Sequence, residues 1–215
     1  NANFGGSIYH TSMNELSIAG DLIIPNFFQM NNINFSSNYK PEPSGYTDEI
    51  QSIFASAELS WKNQLYLTLT GRNDWDSKLA FSNQSSFFYP SVGGSIVLSE
   101  LINMGEKVDF LKIRSSWASV GMPFARFIAN PTYAWNNSTG AWETAKSYPI
   151  YDLKPEKTNS WEVGLTFKAF DGFSLDVSYY DTKTFNQTFD SQLSVSSGYT
   201  NLYVQTGNVR NRGIE

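Results

Sequence analysis

The residues in this chain that could do chemistry are few, and their spacing narrows the chemistry sharply. His10 is the only histidine, so a histidine metal cluster is excluded and a lone ligand has no partner. Any Ser-His-Asp set would have to use His10, and no nucleophile elbow stands anywhere in the sequence. Cysteine is absent, which removes disulfides and thiolate sites together. Asp74 and Asp76 stand two apart, as calcium-binding carboxylates do, but no third ligand lies nearby; solvation in a loop is the competing reading. Asn-x-Ser/Thr triplets begin at Asn34, Asn83, Asn137 and Asn186. In a chain so rich in Asn, Ser and Thr they are read as chance. These residues point to recognition, with no enzyme and no cofactor expected. Trp135 and Trp142 lie in the longest loop and are the candidates for ligand contact. An indole face stacks on the apolar face of a sugar, and its N–H can donate. Packing of the loop against itself or against a partner is the alternative. Arg72 ends a strand on its polar face, either touching ligand or closing an internal ion pair, with Glu58 for example.

The elements that must hold these residues alternate with period two. Trp161, Val163, Leu165, Phe167 and Ala169 share one face; Glu162, Gly164, Thr166 and Lys168 share the other. After 170–172 the pattern resumes with Phe173, Leu175, Val177 and Tyr179 against Asp176, Ser178, Tyr180 and Thr182. Period two is strand. A two-residue Asp-Gly turn would set Phe167 opposite Asp176 and lose the apolar face. A three-residue loop pairs Ala169 with Phe173, Phe167 with Leu175 and Leu165 with Val177. It also puts Gly172 where a left-handed residue is wanted. Ile53, Ala55, Ala57, Leu59 and Trp61 repeat the pattern, as do Leu65, Leu67, Leu69 and Gly71. A three-residue loop at 62–64 pairs Trp61 with Leu65, and Asn63 is its tolerant residue. Val92, Gly94, Ile96 and Leu98 form a further apolar face, and Leu111, Ile113, Ser115 and Trp117 another.

These runs are long: about 12 residues at ~3.3 Å reach ~40 Å, or ~28 Å when tilted by ~45°. That suits the ~25 Å apolar band of an outer-membrane barrel. The connections support it. Residues 62–64, 100–109 and 170–172 fall at one end of an antiparallel series; 10–49, 73–87, 122–157 and 184–202 fall at the other. All the shorter turns thus lie at one end and all the long loops at the other, as in outer-membrane barrels. Glu58, Arg72, Lys112, Arg114, Glu162, Lys168 and Asp176 share the polar face. Trp61, Phe173, Trp117, Trp161 and Tyr179 lie near the ends of the apolar one, where interfacial aromatic girdles sit. An apolar knot at 22–28 is expected to pack its loop onto itself or onto a partner. Of the 215 residues only 16% are charged and 16% are aromatic, with a net charge of -5, which argues against nucleic acid as a partner. The fold expected is all-β, an antiparallel transmembrane β-barrel segment with long extracellular loops, embedded in outer-membrane lipid. A small complete barrel serving as adhesin or anchor and a soluble glycan-binding β-sandwich are the alternatives.

Several stretches also resemble one family. Gly71-Arg72-Asn73-Asp74-Trp75, Phe88-Tyr89-Pro90-Ser91-Val92, Leu111-Lys112-Ile113-Arg114, Leu153-Lys154-Pro155-Glu156-Lys157-Thr158 and the run from Gly207 to Glu215 are similar, in order and spacing, to the barrel of SusC/RagA-type TonB-linked (TonB-dependent) outer-membrane transporters. The knot at 22–28 also resembles a loop segment of that family. The resemblance implies a barrel of about 22 strands in a Bacteroidetes-type, Gram-negative bacterium. Residues 1–215 would be its middle portion, with the plug, the N-terminal extension and the remaining strands elsewhere. It implies import of oligosaccharides or oligopeptides, driven by the TonB complex through an upstream segment absent from this sequence. It further implies a SusD-like surface lipoprotein that delivers substrate, and a plug residue as another partner for Arg72.

Overall fold

Backbone hydrogen bonding, not a sandwich core, organises the chain. The computed structural model describes residues 1–18, 20–34, 41–105, 107–129, 132–136, 139–170 and 172–215. Asp171, in the middle of the 170–172 loop, lies outside the described residues, as do parts of the Asn34 and Asn137 triplets. One antiparallel sheet holds eight long strands: β1 (Ala2–Ser17), β2 (Glu42–Trp61), β3 (Leu65–Asp76), β4 (Ser86–Val97), β5 (Val108–Met122), β8 (Glu156–Ala169), β9 (Phe173–Gln192) and β10 (Asn201–Ile214). Each pairs with the next, a simple meander. A short helix, α1 (Leu98–Leu101), follows β4, and a small hairpin, β6 (Ala134–Asn136) with β7 (Ala141–Glu143), lies between β5 and β8.

The register agrees with the alternation. Ala169 pairs with Phe173, Phe167 with Leu175 and Leu165 with Val177; Trp61 pairs with Leu65 and Leu59 with Leu67. Both three-residue loops therefore exist, but their backbone differs from expectation. Of the described residues in 170–172 the left-handed one is Phe170 (φ 57°), not Gly172. At 62–64 Lys62 and Asn63 are both left-handed (φ 51° and 57°), and the Gln64 N–H closes on the Trp61 carbonyl at 2.9 Å. Two left-handed residues in succession match the right-handed twist of the flanking strands.

Following the pairs across the sheet joins the apolar rows into one surface. Leu65 faces Ile96, Ile96 faces Ile113, and Ile113 faces Leu165. This row touches the first turn at Leu65 but meets β8 at Leu165, well short of the Ala169 that flanks the next turn. Such a stagger is what tilted strands of a barrel wall require. The apolar surface is uncovered: Leu59, Leu67, Leu69, Ile96, Ile113 and Leu175 are all exposed. Among the described residues the only other sheet is β6–β7, so no second layer clasps these side chains and the sandwich reading fails. On the same face, charge begins just beyond Trp161. Asp181, opposite it, is bound by Arg210 and lies across from Arg212. His10 and Glu49 meet likewise on β1 and β2, at 3.7 Å. Aromatic residues and then charges mark the edge of a hydrocarbon band.

The two ends of the sheet differ, though not quite as loop length predicts. Connections 62–64, 98–107 and 170–172 lie at one end; 18–41, 77–85, 123–155 and 193–200 lie at the other. The segments 10–17, 42–49 and 184–192, expected as loop, are strand. Connection 193–200 is consequently shorter than 98–107. What is sorted is projecting chain: β2 and β9 each run 20 residues, about twice the 9–11 that cross a bilayer. Their surplus extends past the band as a two-stranded hairpin with each outer neighbour. That surplus has no face to bury, so it lacks apolar alternation, and backbone pairing alone keeps it extended.

Candidate functional site

The inward face at the loop end gathers most of the buried side chains among the described residues. On β2, β3 and β4 the polar parity runs through Asp48, Ser52, Arg72, Asp74, Phe87 and Tyr89. Onto it folds connection 123–155. Phe124, Ile128, Ala129 and Leu153 from that connection pack with Leu79 and Phe87, and Tyr89, Ile150 and Tyr203 lie against them. Leu79 has no exposed surface at all. The chain's apolar core therefore sits under a loop and not within the sheet, because the sheet's own apolar face is turned outward.

Ion pairs fix the loop to the wall. Arg126 donates from Nε to the buried Asp48 carboxylate at 2.5 Å, and its guanidinium carbon lies 3.4 Å from the centre of the Tyr46 ring. Lys78 approaches the same carboxylate at 3.9 Å. The hydrogen bond that Arg126 donates to Asp48 raises the guanidinium pKa above its ordinary value, against the opposing effect of desolvation. On the far side, Gln205 of β10 clamps the loop's end: its Oε1 accepts from Lys154 N–H at 2.8 Å and its Nε2 donates to Lys154 O at 2.6 Å. Tyr148 meets Tyr199 edge-to-face at 5.1 Å. Between loop and wall lies an open concavity of about 480 Å3, lined by Asp74, Asp76, Lys78, Tyr89, Met122 and Arg126, among others.

The sequence-derived candidates fall in different parts of this arrangement. Arg72 faces inward, as expected from its parity, but its ion-pair partner is Asp74, not Glu58: Nε donates to Asp74 Oδ1 at 2.7 Å and Nη2 to Ser52 Oγ at 3.0 Å. Asp74 lies two residues along the same strand and so shares the face, whereas Glu58 pairs with Thr68. Asp76 accepts from Lys78 N–H at 2.8 Å and caps a one-turn 3-10 helix. Asp74 and one oxygen of Asp76 thus have protein partners, while Asp76 Oδ2 is buried without a hydrogen bond; among the described residues no cluster of metal-ligating side chains forms. Trp135 and Trp142 are brought together as cross-strand partners on β6 and β7, edge-to-face with ring centres 5.4 Å apart. They sit on a two-stranded sheet of their own, separate from the sheet that carries Arg72, and Trp142 is 69% exposed. Asn186 of the fourth triplet donates its amide to Pro155 O at 3.3 Å. The knot at 22–28 closes on itself through backbone bonds but leaves its large apolar side chains exposed.

Deeper along the inner wall, Arg114 makes a two-pronged contact with Asp176 at 2.8 and 3.1 Å. Thr166 also donates to Asp176, at 2.6 Å, and Glu162 stands 3.8 Å from Arg114. Gly164 makes room for the guanidinium; a Cβ there would lie 2.5 Å from it. Sequence reasoning assigned the polar face but missed Asp48, Arg126, Tyr46 and Gln205 as a set. The one available signal was Arg126, the only arginine in an otherwise aromatic loop.

Comparisons with known proteins agree with this geometry. Residues 2–215 match the family described as TonB dependent receptor-like, beta-barrel. TonB-dependent receptor P26 of Formosa agariphila is 29% identical over 179 residues, 78% of this chain and 18% of that protein. The RagAB peptide transporter superposes with a TM-score of 0.82 at 21% identity, over 99% of this chain and 24% of that one. A mutant of the ferric enterobactin receptor PfeA of Pseudomonas aeruginosa superposes at 0.56 and 15% identity, over 100% of this chain and 33% of that one. The chain spans less than a fifth of the curated relative and a quarter to a third of these solved chains.

Proposed function

The chain belongs to the TonB-dependent receptor-like β-barrel family, and on that premise we propose that it forms part of the wall of an importer of oligosaccharides or oligopeptides that works with a SusD-like surface lipoprotein. The family is one of outer-membrane transporters and receptors in Gram-negative bacteria and not of enzymes, and within the proposal the chain is of the SusC/RagA type, a reading supported by its motifs and by its likeness in fold to the RagAB peptide transporter. In the proposed whole, about 22 strands close the barrel. The TonB complex drives import through a segment outside residues 1–215. The observation that carries the reading is the fold-over of connection 123–155. It narrows the inward, polar side at the end where chain projects from the membrane, which is where a transporter must sort what enters.

Within this proposal the Trp135–Trp142 hairpin contacts substrate. Two exposed indoles in a fixed edge-to-face pair offer apolar faces to sugar rings or peptide side chains at little ordering cost. Arg72, held by Asp74 and with 46% of its side chain still exposed, supplies a fixed cation on the lumenal wall. The test is uptake of labelled oligosaccharides and oligopeptides by cells carrying the full-length transporter and its lipoprotein, with and without TonB. Saturable, TonB-dependent uptake of one substrate class, weakened by Trp135→Ala and Trp142→Ala, is the expected result. Uptake independent of TonB overturns the transport reading. Uptake indifferent to both tryptophans removes them from the substrate path.

A further inference from the structure

At the loop-end edge of the apolar band the outward face turns basic, and on one side of the sheet only. Trp161 and Tyr179 close the band on β8 and β9, their rings edge-to-face with centres 6.2 Å apart. Asp181 follows, opposite Trp161, with Arg212 across from it on β10. One step further out, Lys183 pairs with Arg210. Lys157 shares this face on β8, opposite Phe185. Four cations thus flank a single carboxylate, in a chain whose net charge is -5. Arg210 donates from Nε to both oxygens of that carboxylate, at 3.0 and 3.1 Å. Among the described residues Lys157, Lys183 and Arg212 form no ion pair. All four cations are exposed. On β1 to β5 no lysine or arginine points outward: Arg72, Lys112 and Arg114, the only ones on those strands, have inward parity.

We infer that this patch binds the phosphate groups of an anionic lipid headgroup in the membrane leaflet at the loop end. Depth supports the assignment. Tyr179 marks the edge of the hydrocarbon. At ~3.3 Å per residue and ~45° tilt, Asp181 and its partner Arg212 lie ~5 Å above that edge and Lys183 ~9 Å above it. The headgroup layer is ~5–8 Å deep on each side of a bilayer. Arg212 thus lies within it and Lys183 at its outer limit, and long basic side chains reach along the wall to place their charge. Cross-strand partners keep their Cβ atoms ~4.5–5.5 Å apart, so one phosphate can touch both Lys183 and Arg210. Arginine offers a planar fork and lysine a point charge, two ways of binding phosphate. Asp181 anchors the Arg210 guanidinium and still leaves the patch net positive. Completing the barrel does not cover this face, because further strands lie beside it and the lumen lies behind it. The inference needs only the barrel's place in the outer membrane and is independent of the transport reading.

The experiment titrates the full-length protein, purified in detergent, with bisphosphorylated lipid A and counts bound lipid by native mass spectrometry. Heat-modifiable mobility verifies that the barrel is folded. Lys183→Gln and Arg212→Gln are each expected to weaken binding about fivefold, the contribution of one basic residue beside an anionic surface, and together by more than about tenfold. Lys183→Arg should bind as the wild type does, and Lys112→Gln, on the lumenal face, should change nothing. Lipid A stripped of both phosphates should bind the wild type no better than the intact lipid binds the double variant. Wild-type affinity in the double variant overturns the inference, as does a wild type that binds no lipid A. Equal affinity for the stripped lipid also overturns it, since acyl chains would then carry the binding. So does competition by inorganic phosphate at the lipid's own concentration, which would make the ligand free phosphate and not a headgroup.

Discussion

The two ends of the sheet are held in shape by different forces. At the turn end, three residues suffice. Lys62 and Asn63 adopt left-handed backbone, Gln64 closes the turn, and the strands leave in register. At the loop end, little that is local explains the conformation of 123–155. It lies on the inward face because Phe124, Ile128 and Leu153 bury themselves with Leu79 and Phe87 and because Arg126 finds Asp48 on a strand far away in sequence. Turn geometry is a property of a few consecutive residues; loop placement is a property of contacts across the wall. The proposed transport function gives a reason to divide the chain this way. The turn end needs only continuity of the wall, whereas the loop end must shape an entrance, and shaping requires side chains from several strands.

This contrast can be broken at either end. The largest effect is expected from Phe124→Ala, which removes a buried aromatic from the small loop core at a cost of about 3–5 kcal/mol. Limited proteolysis should then cut within 123–155, while the strands' amide exchange stays slow; loss of the whole barrel would show that loop and wall are one unit. Arg126→Ala should act in the same direction more weakly, because Lys78 remains near Asp48. Arg126→Lys should restore only part of the protection, since ammonium replaces neither the guanidinium fork nor its stacking on Tyr46. At the turn end, Asn63→Val places a β-branched residue in left-handed backbone and should cost about 1–2 kcal/mol in denaturant unfolding. Asn63→Gly should be neutral. If both variants behave alike, turn chemistry does not set that register. The smallest effect is expected from Trp142→Ala, which forfeits an exposed edge-to-face pair worth about 0.5–1.5 kcal/mol. Stability should hardly move, and any sizeable change should appear in substrate affinity.

The same contrast explains what the sequence made legible. Alternation at 153–183 and 50–71 specified strands, faces and both three-residue loops, because one face must meet hydrocarbon and a slip by one residue would expose the wrong side. Past the band that constraint lapses. His10 to Ser17 pairs with Glu42 to Glu49 although neither run alternates, and backbone pairing in a projecting hairpin leaves no trace in side-chain type. For the same reason the ordering of connections by length overstated the asymmetry between the ends. At the site, Arg72 was legible as an inward cation from parity, yet its partner Asp74 was read as part of a loop. Trp135 and Trp142 were legible as exposed aromatics but not as a cross-strand pair. The contact of Arg126 with Asp48 could not be read, since 78 residues separate them and nothing in either neighbourhood points to the other.

Within the apolar band, odd-numbered residues of β2, β3, β5, β8 and β9 face hydrocarbon, and their even-numbered neighbours face an aqueous lumen. Nitroxides placed singly at Leu67, Leu165 and Val177, and at Thr68, Ser116 and Ser178, in the full-length protein in bilayers test it directly by collision with oxygen and with a water-soluble nickel chelate. The first set should relax readily with oxygen and scarcely with nickel, and the second set the reverse. Equal nickel accessibility in both sets, or a reversal of the two, would contradict the account.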